Sequence, residues 1–290
     1  MFDGISCGQI ALERAALNVS HYYASEINES AIKITQKHYP DTVQLGDVQK
    51  IKGADLPPID LLIGGPPCQG FSSSGKELNF EDPRSKLFFE FVRLLKECKP
   101  KYFLLENVVM KKEYQNVISS KLNVEPLLIN SSLLSAQNRN RLYWTNIPNI
   151  TLPQDKHIQL KDILETNIYP NKATIIGRRL NSEGKREDYN KSIPIVQCLE
   201  VRKTNTNKCN CLTTVQKDNV LTNLPPRRYV NVFQKNLPFR FYTPIEYERL
   251  QTLPDNYTEG ISNNQRFKAI GNGWTVDIIA HILKNLKTRF

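Results

Sequence analysis

No stretch of this 290-residue chain is apolar for long enough to span a bilayer. Met1-Phe2-Asp3-Gly4 lacks the basic and apolar regions of a secretory signal, so no export is expected. The six cysteines contain no Cys-x-x-Cys pair. Cys198, Cys209 and Cys211 are wrongly spaced for zinc, and so few thiols in a chain of this length do not make a disulfide framework. No metal is expected. Internal repeats and low-complexity tracts are also missing. What remains is an ordinary globular composition, 40% hydrophobic and 23% charged, suited to one large domain or a domain with a smaller insert.

The charge is uneven. Net charge is +10, and residues 151–238 hold 15 Lys/Arg against 8 Asp/Glu, leaving only +3 for the rest. A local basic excess of this kind suits a polyanion, most simply a nucleic acid.

Residues 1–147 alternate helical and strand patterns, the mark of a parallel α/β sheet. Helices are expected over Gly8–Asn18, Asn28–Lys37 and Ser85–Cys98. Strands are expected over Val19–Ser25, Val43–Leu45, Asp60–Ile63 and Tyr102–Leu105, with Leu127–Leu134 and Leu142–Thr145 as a further pair. The apolar strand that would lead into Phe2-Asp3-Gly4 is almost absent. From Thr151 to Pro238 the chain turns polar, basic and weakly periodic, as a small module of short strands and loops would. Pro244–Leu253 and Thr275–Leu286 read as helices.

Residues 64–72 read Gly-Gly-Pro-Pro-Cys-Gln-Gly-Phe-Ser, after the apolar run Ile59-Asp60-Leu61-Leu62-Ile63. The two prolines preset a turn that presents Cys68, and Gly70 with Ser72–Ser74 follow as an adaptable loop. A nucleophile aimed from a strand end needs that combination, and a working thiol needs a reducing, cytoplasmic setting. Phe2-Asp3-Gly4-Ile5-Ser6-Cys7-Gly8 is a glycine-bearing turn into a helix. Glu26 at the second strand end is placed for a ribose diol, and Asp47 at the third for an adenine amino group. Together they describe an adenosine-containing cofactor. Glu106 ends an apolar strand, where a carboxylate is partly desolvated, and Arg139 and Arg141 stand two apart on an extended segment, pointing the same way.

The order of these elements resembles the C5-cytosine DNA methyltransferases over nearly the whole chain. The segments that carry the likeness are the Phe-Asp-Gly turn, Glu26, Asp47, the Pro-Pro-Cys turn, Glu106-Asn107-Val108 and Gln137-Asn138-Arg139-Asn140-Arg141. Thr243–Pro254 and Gly271-Asn272-Gly273-Trp274-Thr275-Val276 complete the set. Arg84–Phe91 and the Trp274 segment look most like phage or bacterial members and the catalytic domain of animal de novo DNA methyltransferases.

The resemblance implies a Rossmann-like α/β sheet that uses S-adenosylmethionine and leaves S-adenosylhomocysteine. It divides the chain into a catalytic and cofactor-binding domain over 1–150, a small irregular and β target-recognition domain over 151–238, and a segment over 239–290 that returns to the first domain. Cys68, Glu106, Arg139 and Arg141 would be catalytic. The cofactor would be held by Phe2, Asp3, Gly4, Ile5, Glu26, Ile27, Asp47, Val48, Gly65, Pro67, Leu87, Asn272 and Trp274. DNA contacts would come from Gln69, Ser72, Arg178, Arg179, Thr213, Thr214, Lys217, Arg227 and Arg228. The implied partners are double-stranded DNA, met by a monomer, and a cognate restriction endonuclease.

Three other readings stand beside this one. An amino-methyltransferase needs an Asp/Asn-Pro-Pro-aromatic turn, whereas this turn carries Cys68. A transfer-RNA C5-methyltransferase shares the chemistry and differs in a tripeptide near the cleft. A catalytically inactive DNA-binding homologue would lack the thiol or the cofactor turn.

Overall fold

The computed structural model describes residues 1–67, 83–166, 171–201, 207–225, 227–231 and 238–286. Its first half alternates α1 (Cys7–Arg14), β1 (Tyr23–Ala24), α2 (Glu29–His38), β2 (Val43–Gln44), β3 (Leu61–Gly64), α3 (Pro83–Cys98), β4 (Tyr102–Val108), α4 (Lys112–Leu122), β5 (Leu127–Asn130) and β6 (Asn140–Thr145). The fold class is therefore the expected α/β one. The sheet is mixed rather than parallel, because β5 and β6 are joined too directly for a crossover and must pair antiparallel. Strand order is β3-β4-β6-β5, with β4 parallel to β3 and antiparallel to β6.

Alternate residues of β4 feed two cores. Leu104 joins a cluster with Ile10 and Ile279, whereas Phe103 and Leu105 pack with Phe88, Phe91 and Trp144. A strand covered on both faces reads as a continuous apolar run, which is why this one was recognisable. It runs on to Val108, so Glu106 and Asn107 lie inside the ladder and not beyond its end.

β1 and β2 form a separate parallel pair. Residues 1–3 lie between that pair and β3: the buried Met1 ammonium donates to Ile63 O at 2.8 Å, and Asp3 N–H donates to Ser25 O at 3.1 Å. Burial lowers the pKa of that amine. Beside it, a cavity of about 440 Å³ lined by Leu12, Tyr22, Tyr23, Leu61, Ile63 and Leu94 separates the two sets of strands. The strand expected over Val19–Ser25 accordingly keeps a ladder only at Tyr23–Ala24, on its β2 side. The first helix stops at Arg14, four residues early, where Ala16 enters the left-handed region at φ 55°.

Residues 171–241 build a second, antiparallel sheet of order β10-β8-β7-β9-β11, from β7 (Asn171–Arg178), β8 (Val196–Val201), β9 (Val220–Thr222), β10 (Arg227–Asn231) and β11 (Phe239–Phe241). Ala173, Ile175, Leu199, Val201 and Val220 form its small core. The chain then returns through α5 (Pro244–Leu250), α6 (Asn263–Asn272) and α7 (Val276–Leu283), and α7 packs beside α1, where Arg14 pairs with Asp277 at 2.7 Å. α4 and α6 were not expected, being polar with few apolar positions. The capping box of Ser262 and Gln265 was the available signal for α6. Among the described residues no helix is long and apolar enough to cross a membrane.

This return is held by a buried ion pair. Glu248, fully buried, accepts from the backbone of Asn256 and Thr258, from the Thr258 hydroxyl, and from Arg266 Nη2 at 2.9 Å. Removing one partner strands a charge in the interior. Glu248→Ala should lower unfolding free energy by about 3–5 kcal/mol in chemical denaturation, and a loss below about 1 kcal/mol would show the pair to be dispensable.

Candidate active site

The end of β3, the strands β4 and β6 and the loop that carries Trp274 meet beside Gly65. β3 runs into Gly65, Pro66 and Pro67, and the next residue, Cys68, lies outside the described residues, as do Gln69 and Ser72. Asn107 Nδ2 donates to Pro66 O at 3.3 Å, so β4 steers the start of the Pro-Pro turn. In the sequence Asn107 stands only as part of the Glu-Asn-Val segment; its task becomes visible once β3 and β4 are neighbours.

Glu106 is 8% exposed and both of its oxygens are engaged. Oε1 meets Arg141 Nε at 2.9 Å, and Oε2 accepts from Trp274 Nε1 at 3.2 Å. Burial alone would lower the Arg141 pKa, but the facing carboxylate raises it, so the cation is secured. Arg141 is in β6, and its Nη2 lies 3.8 Å from Cys211 Sγ.

Arg139 has a different task. Its Nη1 donates to Leu212 O at 3.0 Å, and its Nη2 to Gly273 O at 3.0 Å and Gly271 O at 3.3 Å. Burial, then the neighbouring Arg141, pulls its pKa down, though a guanidinium remains charged. Only Nε is buried without a partner. The two arginines share a side of the segment, since both reach Cys211 Sγ, but one holds loops and the other holds the carboxylate. Gln137 adds to the clamp: its amide nitrogen donates to Leu250 O and its oxygen accepts from Leu212 N.

On the far side of β3 lies the glycine-bearing turn. Phe2, Gly4 and Ser6 all take left-handed backbone, at φ 54°, 57° and 58°, which bends the chain tightly into α1. Glu26 Oε2 accepts from Gly4 N and Oε1 from Ile27 N and Asn28 N, each at 2.8 Å, so this carboxylate ties the turn to the start of α2. Asp3 Oδ1 accepts from Tyr22 OH at 2.7 Å, while Oδ2 is buried without a partner. Burial raises the Asp3 pKa against the opposing pull of the Met1 amine. Ile5 is buried and Ile27 is 74% exposed. Asp47 caps the turn that begins at Val48, accepting from Gln49 N at 3.0 Å, and Val48 itself is buried. Leu87 and Trp274 are half-buried, whereas Pro67 and Asn272 are exposed.

The described residues expected to meet DNA differ in their surroundings. Thr214 and Lys217 are exposed on the loop after Leu212, and Thr213 Oγ1 donates to Asp218 Oδ2 and Val215 O. Arg178 and Arg179 are instead occupied by β8 and by the connection between β7 and β8: Arg178 faces Glu200 at 3.4 Å and Asp188 at 3.6 Å, and Arg179 donates to Ile193 O at 2.6 Å. Arg227 and Arg228 lie on β10, and their side chains fall outside the described ones.

Four of the other thiols are poor nucleophiles. Burial pushes Cys7 up to about 12 and also raises Cys98, Cys198 and Cys209. None of those four carries appreciable thiolate near neutrality.

The model of the C-5 cytosine-specific DNA methylase family matches residues 1–288. A Type II methyltransferase of Lactococcus lactis subsp. cremoris, M1.ScrFI, is 30% identical over 99% of this chain and 76% of its own length. M.NlaX of Neisseria lactamica is 28% identical over 99% of this chain and 95% of itself. Among solved structures, a methyltransferase of Entamoeba histolytica, EhMeth, superposes with a TM-score of 0.71 at 20% identity, covering 98% of this chain and 95% of the other, a likeness of fold. With the Glu106–Arg141 pair, the Asn107-steered Pro-Pro turn and the glycine-bearing turn assembled around β3 and β4, the chain belongs to the C-5 cytosine-specific DNA methylases, a family of DNA (cytosine-5)-methyltransferases.

Proposed function

We propose that this protein methylates C5 of a flipped cytosine in duplex DNA through a covalent bond between Cys68 and C6. The observation that carries the reading is the buried Glu106 carboxylate held by Arg141 beside the turn that leads to Cys68. Cytosine C5 is unreactive and lies inside the duplex, so the base must first leave the stack. Cys68 thiolate then adds to C6, and electron density builds at C5. Glu106 accepts from the exocyclic amine and, carrying a proton, donates it to N3, which draws off the negative charge that thiolate addition brings, with Arg141 holding the carboxyl group in place. Once C5 carries the methyl group, its proton passes to water and the C6–S bond breaks, which expels the Cys68 thiolate and restores the C5–C6 double bond. Arg139 acts on the base through the loops it clamps.

The glycine-bearing turn fits an S-adenosylmethionine molecule. Asp3 Oδ2, buried and unpartnered, is an acceptor awaiting a cationic or N–H donor, and the turn's left-handed backbone leaves room for close approach. Asp3, Gly4, Ile5 and Glu26 would hold it with Phe2 and Asp47, and Gly65, Pro67, Leu87, Asn272 and Trp274 would close the other side. When bound, it supplies the methyl group that C5 takes up. The residues of 151–238 supply the DNA face, with Thr214 and Lys217 free to meet it and Arg178 and Arg179 bracing the sheet beneath. A restriction endonuclease of the same specificity is the matching partner, because Type II methyltransferases are among the relatives.

Cys68→Ser should reduce transfer of radiolabelled methyl to duplex DNA by at least about 1,000-fold while DNA binding stays near wild type. Turnover close to wild type in that variant would remove the thiol from the mechanism. Glu26→Ala should abolish the calorimetric signal of S-adenosylmethionine binding, and unchanged affinity would place the cofactor elsewhere. Affinity for DNA should fall about 100-fold or more between roughly 50 and 200 mM salt if the basic module tracks phosphates. A flat salt dependence would take residues 151–238 off the DNA.

A further inference from the structure

The Glu106 carboxylate is gripped from two sides by groups of different origin. Arg141 comes from the adjacent strand β6, whose register places Tyr143 opposite Glu106. Trp274 comes from the loop between α6 and α7, 168 residues away in sequence, and its indole N–H is 3.2 Å from Oε2. The loop is held rigidly enough to aim that N–H. Gly273 O accepts from both Arg139 Nη2 and Gln251 Nε2, each at 3.0 Å. Thr275 Oγ1 donates to Gln251 Oε1 at 2.8 Å and accepts from Ser131 Oγ at 2.8 Å, and Val276 N donates to Gln251 O at 3.0 Å. Trp274 is thus fixed by its neighbours on both sides in the chain.

Gly65 completes the arrangement. A Cβ at this position would sit 2.8 Å from Trp274 Nε1 and 3.3 Å from Glu106 Oε2. Any other residue would wedge its side chain against the donor and the acceptor together. The end of β3, the middle of β4 and the C-terminal loop therefore meet at one hydrogen bond, and the glycine is what lets them meet.

We propose that Trp274 is a positioning residue of the reaction: its indole N–H fixes the Glu106 carboxylate against Arg141, in the plane required to receive the base. The role rests on the base-binding task assigned to Glu106 above. An ionised carboxylate has about four acceptor directions. One on each oxygen is taken by Arg141 and Trp274, which leaves the others for the exocyclic amine of a flipped cytosine and for the proton given to its N3. With both oxygens already pinned, the carboxylate does not rotate when the base arrives, and no rotamer entropy is lost at that step. Trp274 then acts on catalysis through Glu106, beyond whatever contact its ring makes with a cofactor.

The chain has two tryptophans, and the other, Trp144, donates its indole N–H to Ser119 Oγ, buried on the opposite side of the sheet from α1. A ¹⁵N-labelled sample should therefore give two indole N–H resonances, separable by Trp274→Phe. Glu106→Gln, which replaces a charged acceptor by a neutral one of the same shape, should displace the Trp274 resonance and leave that of Trp144 in place. Gly65→Ala should displace it too, by prising donor from acceptor. If neither substitution moves it, the contact does not exist in solution and the proposal falls.

In turnover at saturating S-adenosylmethionine, whose pocket Trp274 also lines, Trp274→Phe should lower kcat by about 10-fold or more while the KM for DNA stays within about 2-fold. Wild-type kcat in that variant, or a loss confined to KM, would overturn the positioning role. Those results differ from failure of the underlying reading, in which the wild-type chain itself transfers no methyl to DNA while the resonance still answers to Glu106→Gln.

Discussion

Arg139 is the joint on which this protein depends. One buried guanidinium, rising from the turn before β6, takes the carbonyls of Leu212, Gly271 and Gly273. Those carbonyls belong to the segment before β9 in the second sheet, to the end of α6 and to the loop that carries Trp274. Gln251 Nε2 shares the Gly273 carbonyl, but the buried cation would be stranded without these acceptors. Tight backbone contact accompanies the joint: a Cβ on Gly271 would come within 2.5 Å of Thr213 O. The catalytic sheet, the basic module and the returning C-terminal helices are therefore referenced to a single charge.

The chemistry uses what that joint holds still. Arg141, two residues on, is free to secure Glu106 because Arg139 carries the loops. Trp274 reaches Glu106 because Gly273 is tied down, and Asn107 reaches Pro66 because β3 and β4 are in parallel register. Division of labour between two adjacent arginines explains how a site made from distant segments reaches the sub-ångström placement that catalysis requires.

Much of this was legible in the sequence, for identifiable reasons. Leu104-Leu105 read as a buried strand because both faces are covered. The Pro-Pro-Cys turn and Glu106 stood out because prolines and a carboxylate at the end of an apolar run are costly unless used. The mixed sheet was not legible, since the polarity of β6 depends on the length of a loop and not on its own residues. Nor could Arg178 and Arg179 be told from phosphate-binding arginines, because Glu200, Asp188 and Ile193 approach them only after β7 and β8 pair. The Trp274–Glu106 contact was hidden for the same reason: two residues far apart in sequence share a hydrogen bond only through the fold.

The central claim is that this assembled site writes 5-methylcytosine into duplex DNA. Bisulfite sequencing of DNA from cells expressing the chain tests it most directly. The account predicts cytosines protected from conversion at one defined sequence, present with the wild-type chain and absent with Cys68→Ser. Complete conversion in both, from cells that contain the folded protein, would contradict it.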